Sequence, residues 1–210
     1  MKKLIISITI LTICGLSFGE QTNKASMGTK KALIIIDIQN DYFEGGANTL
    51  SGSWEASLNA KVLLNDFRKK SLPIVHIQHF STSPSATFFI PDTNGVEIHE
   101  NVKPIKGEKV IAKNYPNSFR ETELLEYLKS NNITELVICG MMTHMCVDAT
   151  TRAAKDFGFS CTVIGDACAT RDLEVQGEEV VASEVQKAFL AALNYFYSKV
   201  INTKDYMNNK

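Results

Sequence analysis

Short apolar, β-branched runs recur along the chain: KALIIID (31–37), LPIVHIQH (72–79), KVIAK (109–113), TELVICG (134–140) and FSCTVIGD (159–166). Their hydrophobicity is continuous rather than alternating, which predicts strands covered on both faces, as in a parallel sheet. Between them the apolar period lengthens. Trp54, Leu58, Val62, Leu63 and Phe67 recur at steps of about four, and Val185, Ala188, Phe189, Ala192, Leu193, Phe196 and Val200 follow a three-four stripe, so both segments are expected as helices. Ser118 and Glu121 have the spacing of a capping box ahead of Leu124, Leu125 and Leu128. Gly158 sits where a helix running from Cys146 to Phe157 should stop.

Alternating β and α units predict an α/β domain with a three-layer, doubly wound, mainly parallel sheet, helices on both faces and right-handed crossovers. The exception is residues 80–108, a long irregular insertion, which in such folds is a functional segment or a lid. There is no internal repeat and no second domain; one domain is expected over 31–201, followed by a polar tail at 202–210. In an open parallel sheet, ligands bind beyond the carboxyl ends of the strands. That rule selects Asp37, His79, Lys113 and the turn from Gly140 to Cys146.

The first 19 residues change the setting. Lys2 and Lys3, a largely apolar run from Leu4 to Ile13, and small residues at Ser17 and Gly19 have the layout of a secretory signal peptide cleaved after Gly19. The apolar run falls short of the roughly 20 residues of a membrane span, so export to the periplasm or medium is expected, with no membrane-spanning segment after processing. A lipid anchor on Cys14 is the alternative, opposed by the bulky Ile13 before it. Residues 20–30 are polar and aperiodic and read as a disordered lead-in. Removing residues 1–19 deletes two lysines and no acid, leaving 20 basic against 23 acidic residues, a formal charge of −3. That balance favours neither nucleic acid nor an anionic membrane as a partner.

Cys139, Cys146, Cys161 and Cys168 survive processing. An even number in an oxidising compartment keeps disulfides open, and with them a disulfide-locked structural module. Their placement in or beside apolar runs favours buried free thiols for Cys139, Cys161 and Cys168. Cys146 is open to three roles: buried spacer, disulfide partner or nucleophile.

Singly, Asp37, Lys113 and Cys146 have bland explanations as a turn residue, a solvated lysine and a packed thiol. Jointly they bring an acid, a cation and a thiol from different strand ends to one rim. A sulfur at the start of a helix faces unpaired N–H groups and the positive end of the dipole, and a nearby ammonium lowers its pKa further. Asp37 could take the thiol proton and return it to a leaving group, while the helix N–H groups hold an oxyanion. Such a set suits acyl transfer through a thioester.

Three ordered motifs then carry a resemblance: DIQNDYF (37–43), KNYPNSF (113–119) and GMMTHMCVDATTRAA (140–154). Over nearly all of 31–201 the chain resembles the isochorismatase-like cysteine hydrolases, which include nicotinamidases and N-carbamoylsarcosine amidohydrolases. The resemblance implies an Asp37, Lys113, Cys146 triad, a cis peptide between Met141 and Met142, and an oxyanion hole from the N–H groups of Met142 and Cys146. It also implies a small-molecule substrate and a homo-oligomer, dimer or tetramer, for which the final helix stripe offers surface. Isochorismatases proper cleave a vinyl ether without a nucleophilic cysteine, so Cys146 points instead to the C–N bond of an amide, lactam or ureido compound. Peroxide chemistry at the thiol and a periplasmic binding protein without turnover are the competing functions.

No cofactor is expected, and no metal. HIQHFSTS lacks the aspartate of the nicotinamidase metal element, and His76 and His79, three apart in a strand, point to opposite faces. His79 is a candidate for the pocket, His76 a packed strand residue. Gln39, Phe43, Tyr115, Phe119 and His144 are further pocket candidates, with core or turn roles as their alternatives. Asp41 is expected to cap a turn, and Asp166 to fix a loop.

Overall fold

The computed structural model describes residues 30–208. The expected leader, Cys14 and all of the lead-in before Lys30 lie outside the described residues, as do the last two residues of the tail. No described helix is long and apolar enough to cross a membrane.

In chain order the strands and helices are β1 (Lys31–Ile36), α1 (Ser53–Lys69), β2 (Ile74–His79), β3 (Lys109–Lys113), α2 (Leu124–Ser130), β4 (Glu135–Met141), α3 (Asp148–Asp156), β5 (Ser160–Ala169), β6 (Leu173–Val175), β7 (Glu178–Val180), α4 (Ala182–Ala192), β8 (Lys199–Ile201) and α5 (Thr203–Asn208). Six strands form one sheet in the order β3-β2-β1-β4-β5-β8, every pair parallel. β6 and β7 form a separate antiparallel ribbon. The α/β, doubly wound, parallel architecture read from the apolar runs is the one observed. Each sheet face carries its own buried cluster, one built on Leu33, Ile35 and Val137 and the other on Ile34, Ile36 and Ile138. Alternate residues of β1 serve opposite clusters, as a strand covered on both sides requires.

This strand order reverses between β1 and β4. The chain builds outward from β1 to β3, returns to β4 and continues to the other edge, which leaves a crevice beyond the ends of the two central strands. At that crevice the two backbones run close: Gly140 of β4 pairs with Ile36 of β1, and a Cβ at Gly140, whose φ is +134°, would overlap the Ile36 carbonyl. Glycine is required there by both the angle and the approach.

Several sequence expectations are corrected. Of the α1 stripe, Leu63 and Phe67 are buried but Trp54, Leu58 and Val62 point outward; Ala56, Ala60 and Leu64 complete the inner face instead. The final helical stretch ends before Val200, which lies in β8 at the sheet edge, paired with Val163. The expected polar tail forms α5, started by Asp166, whose Oδ1 accepts from Thr203 N at 2.7 Å and Thr203 Oγ1 at 2.8 Å. Ser118 does not cap α2; its hydroxyl and N–H bind Thr150 Oγ1, at 2.8 and 3.0 Å. Cys139, Cys146, Cys161 and Cys168 are buried free thiols.

The 80–108 insertion is strapped down along its length. Asp41 accepts from Phe89 N at 2.6 Å, Gln39 and Gln78 donate to Val96 O at 2.7 and 3.0 Å, and Glu108 closes the segment. Glu108 takes two hydrogen bonds from Arg68, at 2.7 and 2.8 Å, and meets His76 Nε2 at 2.9 Å. Burial alone would raise the Glu108 carboxyl, but Arg68, the Ile105 N–H and His76 outweigh it and hold it at about 2. A carboxylate depressed on folding stabilises fully above its ordinary range and loses that contribution as pH falls toward the folded value. Glu108→Gln is therefore expected to lower unfolding free energy by about 1.5–3 kcal/mol at pH 7, as for a charge-assisted hydrogen bond. In urea titrations the difference from wild type should shrink between pH 5 and pH 2.

Candidate active site

Four strand ends deliver the site. Asp37 follows β1, His79 ends β2, Lys113 ends β3 and Cys146 lies in the turn after β4. Thr143–Val147 is a single π-helical turn that runs directly into α3, so Cys146 sits at the head of a helix as expected. The turn is held to β5 and its extension by Thr143 Oγ1, which donates to Ala169 O at 3.1 Å, and by His144 Nδ1 at 2.6 Å from Thr170 Oγ1. The Met141–Met142 peptide is cis.

Lys113 is the centre of the cluster. Its side chain reaches from β3 across the end of β2, placing Nζ 2.6 Å from Asp37 Oδ2, 3.0 Å from His79 Nδ1, 3.2 Å from Cys146 Sγ and 3.1 Å from Tyr115 O. An ammonium carries three hydrogens, one fewer than these four neighbours. Asp37, His79 and Cys146 have ligand atoms within 4.8 Å of one another and could hold a metal ion. The Lys113 ammonium already lies within hydrogen-bonding or ion-pairing distance of all three, so it supplies the positive charge they surround.

Asp37 and Lys113 are fully enclosed and Cys146 is 3% exposed. Burial works to raise the Asp37 carboxyl, yet Lys113 and His79 hold it below its usual value. Burial likewise opposes charge on Lys113, and Asp37 with Cys146 raises it above the ordinary lysine range. The expected resting thiolate is corrected: burial first and the Asp37 carboxylate second push the Cys146 thiol up, by more than Lys113 lowers it. The reason is charge balance. Asp37 and Lys113 already neutralise each other, so a thiolate would bring an uncompensated negative charge into a dry site.

The weaker site candidates separate. His79 joins the cluster directly, 3.9 Å from Sγ and 3.7 Å from Asp37 Oδ2, more intimately than a pocket wall. Gln39 is not a pocket residue: fully buried, its amide receives His79 N at 2.8 Å and donates to His79 O at 2.9 Å, clamping the histidine backbone. Phe119 packs against Phe157 and Phe159 in the core. Tyr115 offers its carbonyl to Lys113 while its ring stacks under Arg120 at 3.6 Å. Phe43 stacks on His99 at 3.6 Å and lines a different cleft. His144 does line open space. With Phe88, Met142, Met145 and Arg171 it borders a cleft of about 700 Å³ that reaches the cysteine turn. Gln39 and Phe119 lie in quoted motifs, but nothing in a linear pattern tells a clamp or a core ring from a pocket wall.

Residues 31–205 match the family described as Isochorismatase domain. The isochorismatase family protein YddQ of Bacillus subtilis is 47% identical over 176 residues, covering 84% of this chain and 98% of its own. The chain belongs to the isochorismatase family. An isochorismatase from Pseudomonas putida KT2440 of solved structure superposes with a TM-score of 0.79 at 35% identity, covering 83% of this chain and 89% of that one. The secreted isochorismatase effector Isc1 of Verticillium dahliae is 33% identical, covering 82% and 88%. Among isochorismatase-family relatives named for their reactions, a streptothricin hydrolase of Streptomyces noursei is 33% identical over 68% of this chain and 51% of its own, and nicotinamidase 3 of Arabidopsis thaliana is 26% identical over 74% and 81%. Those names make the family one of hydrolases, amidases among them.

Proposed function

We propose that this protein is an exported cysteine hydrolase that cleaves the C–N bond of a small amide, lactam or ureido compound through a thioester on Cys146. The observation that carries the reading is one ammonium, Lys113 Nζ, lying 2.6 Å from the Asp37 carboxylate and 3.2 Å from the Cys146 sulfur. Relatives named nicotinamidase and streptothricin hydrolase support hydrolysis at such a bond. The leader-like residues 1–19 and a relative named as secreted support export.

Because burial and the Asp37 carboxylate push the thiol up, its activation is coupled to attack. As sulfur bonds to the carbonyl carbon, its proton passes to Asp37, and the N–H groups of Met142 and Cys146 receive the developing oxyanion. The C–N bond breaks, Asp37 gives the proton to the departing nitrogen, and the acyl group remains on sulfur. Asp37 then accepts a proton from water as its oxygen adds to the thioester. Returning that proton to sulfur releases the acid and restores the enzyme. Lys113 keeps Asp37 ionised between steps.

A panel of primary amides, lactams and ureido compounds, scored for ammonia or amine release, is expected to yield a substrate. Acid quenching during its turnover should then leave the acyl mass on the peptide that contains Cys146. Sustained turnover with no acyl adduct, unchanged after thiol alkylation, would sink the thioester route.

A further inference from the structure

Tyr42 carries a hydroxyl that nothing in the described chain uses. The residue is 1% exposed, and its backbone is engaged: its N–H donates to Gln39 O at 3.0 Å and its carbonyl accepts from Leu50 N at 3.1 Å. The Oη, by contrast, has no hydrogen-bond partner among the described residues. A buried polar group left unpaired is uncommon and costs stability, so it calls for a reason. The oxygen is also not sealed. The unpaired side-chain atoms that are wholly enclosed belong to other residues, Asp37 and Thr151 among them, so the Tyr42 hydroxyl keeps contact with open space.

The packing of the ring places it beside the chemistry. Its centroid is 4.7 Å from that of Phe89, which packs 5.7 Å from His79, and 6.0 Å from that of Phe88, which borders the cleft of about 700 Å³ beside Met142. Tyr42 thus stands between the catalytic cluster and the cleft. Burial first, then the nearby Cys146 and Asp37, push its hydroxyl well above the ordinary tyrosine range, so at neutral pH it is an uncharged donor and acceptor.

We propose that Tyr42 Oη is a specificity-determining group that hydrogen-bonds a polar atom on the acyl side of the substrate, next to the carbonyl that Cys146 attacks. The inference rests on the hydrolase reading above and narrows its substrate class. An amide offers three groups to such a site: the carbonyl oxygen, the nitrogen and the acyl substituent. In that reading the oxygen goes to the N–H groups of Met142 and Cys146, and the nitrogen to Asp37. The acyl substituent is what remains for a neutral hydroxyl to read. Compounds with an oxygen or nitrogen on the α-carbon are favoured over plain alkyl amides, because an alkyl chain would leave the hydroxyl unpaired.

Methoxyacetaldehyde and butanal test this, since they differ only in an ether oxygen in place of a methylene. With either, Cys146 Sγ adds to the aldehyde carbon and the thiol proton passes to the former carbonyl oxygen; nothing leaves, so the adduct holds the acyl-side group in place. Affinity is read as protection of Cys146 from iodoacetamide, by mass spectrometry of its peptide. The preference for methoxyacetaldehyde over butanal is expected to be at least about tenfold larger in the wild type than in Tyr42→Phe. Comparing that ratio between the two proteins cancels the intrinsic reactivity of the aldehydes. The variant loses an oxygen that no described residue uses, so it should melt at or above wild type. An unchanged ratio in Tyr42→Phe overturns the proposal and leaves the hydrolase reading intact; if the variant also melts lower, the hydroxyl is structural. Protection by neither aldehyde in the wild type counts against the reactive cysteine itself and takes this inference with it.

Discussion

Cys146→Ala is expected to lower kcat/KM at least about 10⁴-fold on any amide that the wild type hydrolyses, because it removes the atom that forms the thioester. Stability should change little. The thiol is buried in the core cluster on its face of the sheet, and losing one sulfur leaves a small void worth about 1 kcal/mol. Cys146→Ser keeps the shape and a hydroxyl but not the nucleophile, and should be as inactive while melting near wild type. Intact folding with full turnover in the alanine variant would end the proposal.

Asp37→Asn and Lys113→Met should each cost both activity and stability, and their combination should separate the two. Either single change strands the other charge in an enclosed site, which costs about 3–5 kcal/mol. The double variant strands nothing and should recover much of that loss in a urea titration. Activity should not return, because the carboxylate that takes the thiol proton and passes it to the leaving nitrogen is gone, a loss of at least about 10²–10⁴-fold. A double variant that regained activity along with stability would leave Asp37 with a purely structural role. In the wild type, Lys113 and His79 hold the Asp37 carboxyl below its usual value. The carboxylate therefore persists to lower pH than an ordinary aspartate, and the acid limb of kcat/KM should fall correspondingly low.

Much of this arrangement was legible in the linear chain. Five continuous apolar runs announced five strands, though KVIAK forms an edge strand with Val110 and Ala112 exposed rather than one covered on both faces, and the rule that ligands meet the carboxyl ends of parallel strands singled out Asp37, His79, Lys113 and the turn to Cys146 before any distance was known. The sixth strand was not legible, because Lys199–Ile201 continues a helical stripe and becomes a strand only where it meets the free edge of β5. Ser118 shows why a local signal can mislead: its spacing to Glu121 fits a capping box, yet Thr150 on α3 offers the buried hydroxyl a better partner.

What the sequence alone determined, then, is the period of each segment and the chemical type at each strand end, since both follow from covalent order and hydrophobicity. Tertiary structure decided the rest. It made Gln39 a clamp for His79, turned Trp54, Leu58 and Val62 outward because alanines fit closer to the sheet, and pushed the thiol pKa up by enclosing it beside an ion pair already neutral. Direction, enclosure and charge balance arise only when distant stretches of chain come together, and no local pattern encodes them.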